Sequence, residues 1–300
     1  MKLHYDEALF EQTVIEIFEQ TGIKREVIEK DYYVTMILKE LSERLPRLLL
    51  KGGTSLSKCY KLINRFSEDI DLNWEYDRLT QAQRQNVKAI IVRTCESLRL
   101  KILNINDTRS RREINRYQID YPTIFDMGKL RQYVYIGTSF MIKSFPSEMK
   151  PATSIIYDFL KEHSFDNIIE EYGLQPYQVR VQSIERTFID KLFAICDYYL
   201  DGRVREHSRH LYDIFKLFPH IKIDEALKHL AVETRLVRQG KNFCLSAAEG
   251  VDINALLQQI IDENIYKQDY QTITTDLLFE SVTYEQTIET LNDIVKSGLF

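Results

Sequence analysis

Four cysteines, Cys59, Cys95, Cys196 and Cys244, are scattered over 300 residues. None forms a C-x-x-C pair or has a histidine at ligand spacing, which argues against a structural zinc site. So few thiols in a chain of this size do not make a disulfide framework either. Basic charge is not in excess: 40 Lys and Arg face 45 Asp and Glu, a formal charge of -5. No global field therefore draws the protein to nucleic acid or to an anionic membrane, and any grip on nucleic acid must come from a local patch. No stretch approaches the roughly 18 apolar residues of a membrane-spanning helix. The opening MKLHYDEALFEQ has acids where a signal peptide has its apolar run. The expectation is a cytoplasmic protein with no membrane partner. Repeats and low-complexity tracts are missing as well.

What is present is a globular composition, 44% hydrophobic and 28% charged, in a chain long enough for one large domain or two ordinary ones. Apolar residues at helical spacing predict two amphipathic helices over 5–20 and 24–44, the second stopped by Pro46. RLLLK (47–51) is a short apolar run ending at a glycine pair, the pattern of a buried strand meeting a turn. A helical pattern resumes over 54–63, and EDIDLNW (68–74) alternates like a half-buried strand. A helix follows over 79–100, then β-branched and aromatic strands over 116–121 and 132–142. After Pro151 the pattern turns helical (184–200, 208–218, 224–238, 252–266, 282–297), apart from a strand at 177–181. These patterns predict an α+β protein of two lobes. Residues 1–150 form a small mixed-sheet core with two N-terminal helices, and 151–300 form a mainly helical lobe that completes a cleft.

Two motifs carry chemistry. Gly52-Gly53-Thr54-Ser55 joins a strand to a helix start, where glycine lets a phosphate approach the backbone and free N–H groups favour an anion. Thr54 and Ser55 can cap the helix and donate to phosphate oxygens, and Lys58, three residues beyond Ser55, shares their helix face. Taken alone, this reads more simply as a capped helix after a glycine turn. The second motif is Asp69-Ile70-Asp71. Strand alternation puts both carboxylates on one face, and two carboxylates plus substrate phosphates suit Mg²⁺. A lone D-x-D has a plainer reading as a solvated strand face, but the two motifs in this order point to a nucleotide site.

The pairing resembles the G-S…D-x-D signature of the DNA polymerase β-like nucleotidyltransferase superfamily. More closely, KGGTSLSK (51–58) followed by RFSEDIDL (65–72) resembles the AbiEii/AbiGii-type toxins, the nucleotidyltransferase half of abortive-infection toxin–antitoxin pairs of phage defence. EKDYYVTMIL (29–38) is similar to that family's second helix, IERTFIDKLFAI (184–195) to its third motif and RHLYDIFKL (209–217) to its fourth. The likeness spans roughly residues 25–220. It implies Asp69 and Asp71 as metal ligands and catalytic groups, and Gly52, Gly53, Thr54, Ser55 and Lys58 as nucleotide ligands. It also implies functional parts for Lys191 and Asp213, the aspartate either orienting the lysine or acting on the incoming nucleophile. A nucleoside triphosphate substrate, a cognate antitoxin and an RNA acceptor such as tRNA follow from the same resemblance.

The superfamily's third carboxylate has no clear counterpart: Gly137 stands in the strand where it is expected, with Asp120 as the nearest alternative. That gap keeps open a degenerate, non-catalytic nucleotide- or partner-binding module, and a transferase with a small-molecule acceptor is a further alternative. Two basic groups, Arg109, Arg111, Arg112 and Arg116, and Arg203, Arg205, His207, Arg209 and His210, are candidate phosphate contacts that would be salt-sensitive.

Overall fold

The computed structural model describes every residue except 76–78 and 129. The chain divides into two compact units, one of residues 1–60 and 67–181, the other of 61–66 and 182–300.

The first unit is built on a seven-stranded mixed sheet, ordered β3-β4-β5-β2-β1-β7-β6. Its strands are β1 (Leu48–Lys51), β2 (Ile70–Trp74), β3 (Lys101–Ile102), β4 (Ile114–Asp120), β5 (Tyr133–Ser139), β6 (Ser147–Ala152) and β7 (Tyr177–Gln182). β1 lies between an antiparallel β2 and a parallel β7. Its three leucines are all buried, as a strand covered on both faces requires. β4 and β5 alternate instead. Tyr117, Ile119, Val134 and Ile136 turn into the core, and Arg116, Gln118, Tyr133, Tyr135 and Gly137 turn outward.

Helices α1 (Glu7–Thr21), α2 (Arg25–Arg44) and α4 (Gln81–Ser97) flank the sheet, α2 being buried along most of its length. Between β1 and β2 the chain makes α3 (Gly52–Ser55), which continues as one wide helical turn, Leu56–Tyr60. Two further helices, α5 (Ile155–Glu162) and α6 (Asp166–Glu171), belong to this unit too. The boundary therefore falls at 181/182 and not near 150. Strands β6 and β7 complete the sheet and hold residues 147–181 in the first unit. β6 escapes sequence reading because SEMKPA is polar and largely exposed, with no alternating apolar residue to mark it.

The second unit is helical. α7 (Ile184–Leu200) is its apolar centre, with Phe188, Ile189, Leu192, Phe193 and Ile195 fully buried. α8 (Arg209–Leu217), α9 (Glu225–Arg238), α10 (Ile253–Glu263), the short α11 (Lys267–Asp269) and α12 (Thr275–Leu277), and α13 (Tyr284–Lys296) complete it. Residues 61–66 join this unit through a backbone ladder: the Phe66 N–H donates to Leu277 O and the Phe279 N–H to Asn64 O, both at 3.0 Å.

Candidate active site

Strand register brings the two chemical motifs of the first unit together. Lys51 is the antiparallel partner of Asp71, so Gly52, the next residue, stands beside the Asp71 carboxylate. On the other side, parallel pairing sets Asp71 against Gly137, and antiparallel pairing sets Gly137 against Arg116 of β4. The carboxylate occupies the space that both glycines leave. A Cβ on Gly52 would come within 2.8 Å of Asp71 Oδ2, and one on Gly137 within 3.1 Å of Oδ1. Gly52 also has φ +75°, which other residues adopt only with strain.

Asp69 lies just ahead of β2. The Thr54 hydroxyl donates to its carbonyl at 2.5 Å and lies 3.0 Å from Ser67 Oγ, which ties the glycine turn to the D-x-D segment. The Asp69 carboxylate is half-buried: Oδ2 lies 3.6 Å from Arg116 Nη2, and Oδ1 is turned inside.

The hydroxyls of the turn are engaged by the protein. No side chain caps α3; Ser55 Oγ donates back to Gly52 O at 2.8 Å, and Thr54 serves Asp69 as above. What the turn presents is its leading backbone N–H groups, which no helical carbonyl satisfies. Lys58, placed by helical spacing on the face of Ser55, turns inward. Its ammonium lies 2.5 Å from Asp31 Oδ1 and 2.6 Å from Thr35 Oγ1, both on α2. It locks the turn to the core, a role that spacing along one helix could not reveal.

Asp31 is one of three consecutive buried charges on α2. Successive helical positions point about 100° apart, so Glu29, Lys30 and Asp31 each reach a different segment. Glu29 accepts from the Ile124 and Phe125 N–H groups at 2.8 and 3.4 Å. Burial pushes its carboxyl up to about 7, although those two N–H groups oppose the rise. Lys30 donates to Glu68 Oε2 at 2.5 Å and to Arg131 O at 2.8 Å. Burial lowers its pKa, and Glu68 and Asp69 oppose the shift. Asp31 takes Lys58 on one oxygen and the Ile155 N–H on the other, 2.8 Å away.

The third carboxylate does not come from Asp120. That residue pairs with Tyr133, four positions along β4 from the Arg116–Gly137 rung, which is about 13 Å of strand. Next to Asp71 in the sheet stand a glycine and then an arginine.

In the second unit, Lys191 and Asp213 meet at a buried centre. Lys191 Nζ lies 2.5 Å from Asp213 Oδ2, and Arg65 grips the same carboxylate through Nε and Nη2, each at 2.7 Å. Burial works against the charge on Asp213, but Arg65 and Lys191 outweigh it and hold the carboxyl well below its usual range. Burial lowers the pKa of Lys191, opposed by Asp213 and reinforced by Arg65. His210 is also held well below its ordinary value, by burial, Lys191 and Arg209 in that order. Arg65 was invisible to sequence reasoning, although RFSEDIDL contains it, because its partner lies 148 residues away.

Among the described residues, no group of three or more His, Cys, Asp or Glu could by itself hold a metal ion. The pair Asp69 and Asp71 still fits Mg²⁺, which accepts one or two carboxylates and completes its shell with water and substrate phosphates. A glycine turn seated against the D-x-D strand in a mixed sheet is an arrangement that can hold a phosphate beside two carboxylates. The profile of the family described as "Nucleotidyl transferase AbiEii toxin, Type IV TA system" matches residues 37–293, and the chain belongs to that family. It is thus a nucleotidyltransferase toxin of a type IV toxin–antitoxin system, and membership implies a cognate antitoxin. A comparison with curated proteins gave no match. No helix among the described residues is long and apolar enough to cross a membrane.

Proposed function

We propose that the protein transfers a nucleotide from a nucleoside triphosphate to an RNA acceptor, tRNA being the first to test, in a magnesium-dependent reaction. The observation that carries this reading is the seat of Asp71 between Gly52 of the turn and Gly137 of β5. Register sets Asp71 beside the leading N–H groups of the turn, and a triphosphate bound there by its β- and γ-phosphates would have its α-phosphate near Asp69 and Asp71. Mg²⁺, when bound by these two carboxylates, supplies the charge neutralisation that their own negative charge denies the phosphates.

The remaining work falls to the chain. Gly52 and Gly53 admit the phosphates to the backbone, Thr54 and Ser55 hold the turn in shape, and Lys58 anchors it to α2. An acceptor oxygen then bonds to the α-phosphorus as the bond to pyrophosphate breaks. Lys191 and Asp213 are retained as functional residues, with Asp213 orienting the Lys191 ammonium through their 2.5 Å contact. Incubating the protein with each α-labelled triphosphate and total RNA should label an RNA band, and chelation with EDTA should abolish it. Asp69→Asn and Asp71→Asn should each abolish labelling with the fold retained. Undiminished labelling by either variant would sink the two-carboxylate site. Labelling of small molecules alone would replace the RNA acceptor with a small-molecule one.

A further inference from the structure

The outward face of β4 and β5, beside the carboxylates, carries a layered set of flat side chains that the phosphate site does not use. The Arg116 guanidinium carbon lies 3.4 Å from the centroid of the Tyr135 ring. The Tyr133 ring meets Tyr135 edge-on at 4.8 Å, and the two hydroxyls are 3.2 Å apart. Gln118 Nε2 donates to the Tyr135 hydroxyl at 3.2 Å, which steadies that ring. Arg131 brings a second guanidinium to 5.6 Å from the same centroid, and buried Lys30 pins it by its carbonyl. The side chain of Arg116 is 54% exposed, so one face of its plane meets solvent.

An exposed cation–π pair contributes little to a fold, too little to account for two tyrosines and two arginines on an outward sheet face. Guanidinium and phenol planes are, however, the surfaces on which nucleobases stack. The set is also in register with the chemistry. Arg116 pairs with Gly137, which pairs with Asp71, and Tyr135 lies two residues earlier along β5, about 7 Å away.

We propose that Arg116 and Tyr135 form a nucleobase-stacking subsite next to the Asp69–Asp71 pair, with Arg131 adding charge for an adjoining phosphate. This rests on the nucleotidyltransfer reading and names where the base of a reacting nucleotide lies. The base belongs either to the incoming triphosphate or to the terminal nucleotide of the acceptor strand. Both present the same chemistry.

The test is binding, in magnesium buffer at fixed salt, with three probes: an α,β-methylene nucleoside triphosphate, a fluorescein-labelled single-stranded RNA octamer, and inorganic triphosphate. Arg116→Ala and Tyr135→Ala should each weaken one of the first two probes by roughly ten- to a hundredfold, the usual effect of removing one stacking partner. Tyr135→Phe should retain affinity, and inorganic triphosphate should bind all variants alike. Loss confined to the methylene triphosphate assigns the incoming base; loss confined to the octamer assigns the acceptor. Arg116 lies at the surface, so its variant keeps the test valid if Tyr135→Ala does not fold.

Unchanged affinity of Arg116→Ala for both nucleotides overturns the proposal, and so does failure of the wild type to bind either. An equal loss for inorganic triphosphate overturns it too, since the effect would then be one of charge. Wild-type labelling of RNA, measured separately, keeps these failures distinct from failure of the transfer reading.

Discussion

Asp71 shares its space with no side chain from Gly52 or Gly137, and a single methyl group at either position measures how closely its placement matters. Gly137 has ordinary backbone angles, so Gly137→Ala adds only a Cβ that meets Asp71 Oδ1 at 3.1 Å. The carboxylate must give by a few tenths of an ångström while the strand stays as it is. Misplacing a catalytic group by about 1 Å costs on the order of a hundredfold, so a smaller shift should cost roughly tenfold in transfer, with a melting temperature close to wild type. Gly52→Ala combines a 2.8 Å approach to Oδ2 with φ +75°, and the left-handed backbone alone costs about 1–2 kcal/mol. It should lose both stability and activity. Wild-type transfer by Gly137→Ala would show that the seat of Asp71 is not critical. The D-x-D pair and the glycine turn were legible because strand alternation and glycine's freedom are local properties. The inward turn of Lys58 was not, because Asp31 and Thr35 approach it from another helix.

Within α2 the buried triplet Glu29, Lys30 and Asp31 ties together the segment ahead of β5, the residue before Asp69, and the helix after the glycine turn. The apolar pattern revealed the helix but not this role, since each of the three charges meets a partner far away in sequence. β6 was hidden for the opposite reason, its partner strand supplying order to a sequence with no apolar signal. Glu29 offers a direct test. Its carboxyl titrates near 7 in the folded protein against an ordinary 4.5, so between those values the native state holds a proton that the unfolded chain has released. Stability is therefore greatest below the window, falls as pH rises through it, and levels off above about 7, by up to about 1.4 kcal/mol per pH unit. Urea unfolding at pH 5 and pH 7.5 should show this fall, and Glu29→Gln should be flatter by the same amount; identical slopes would refute the assignment. Lys30→Met should be severe at any pH. It leaves Glu68 without its 2.5 Å partner, and breaking a buried pair from one side costs about 3–5 kcal/mol, here reduced because Glu68 is partly exposed and keeps Arg131 at 3.7 Å.

Over the whole molecule, the RFSEDIDL motif serves both units. The chain leaves the first unit after Tyr60, contributes residues 61–66 to the second, and returns at Ser67. Arg65 and Asp69 are thus four residues apart in sequence yet belong to different folding units, one holding Asp213 and the other facing Arg116. Asp213 is the better place to test what the second unit needs. It is completely buried and balances two cations, Arg65 and Lys191. Its carboxyl is held well below the ordinary range, so its stabilising contribution is fully present above that range and is lost only as pH falls through strongly acidic values. Asp213→Asn keeps the shape but removes the charge, leaving two buried cations against each other at an expected cost of at least about 3 kcal/mol. Adding Lys191→Met removes one of those cations, so the double variant should recover part of the loss. Chemical denaturation of wild type, both single variants and the double variant closes the cycle. Strict additivity would mean that Lys191 and Asp213 do not act on one another. Recovery of stability without recovery of RNA labelling would separate the lysine's part in the reaction from its part in the fold.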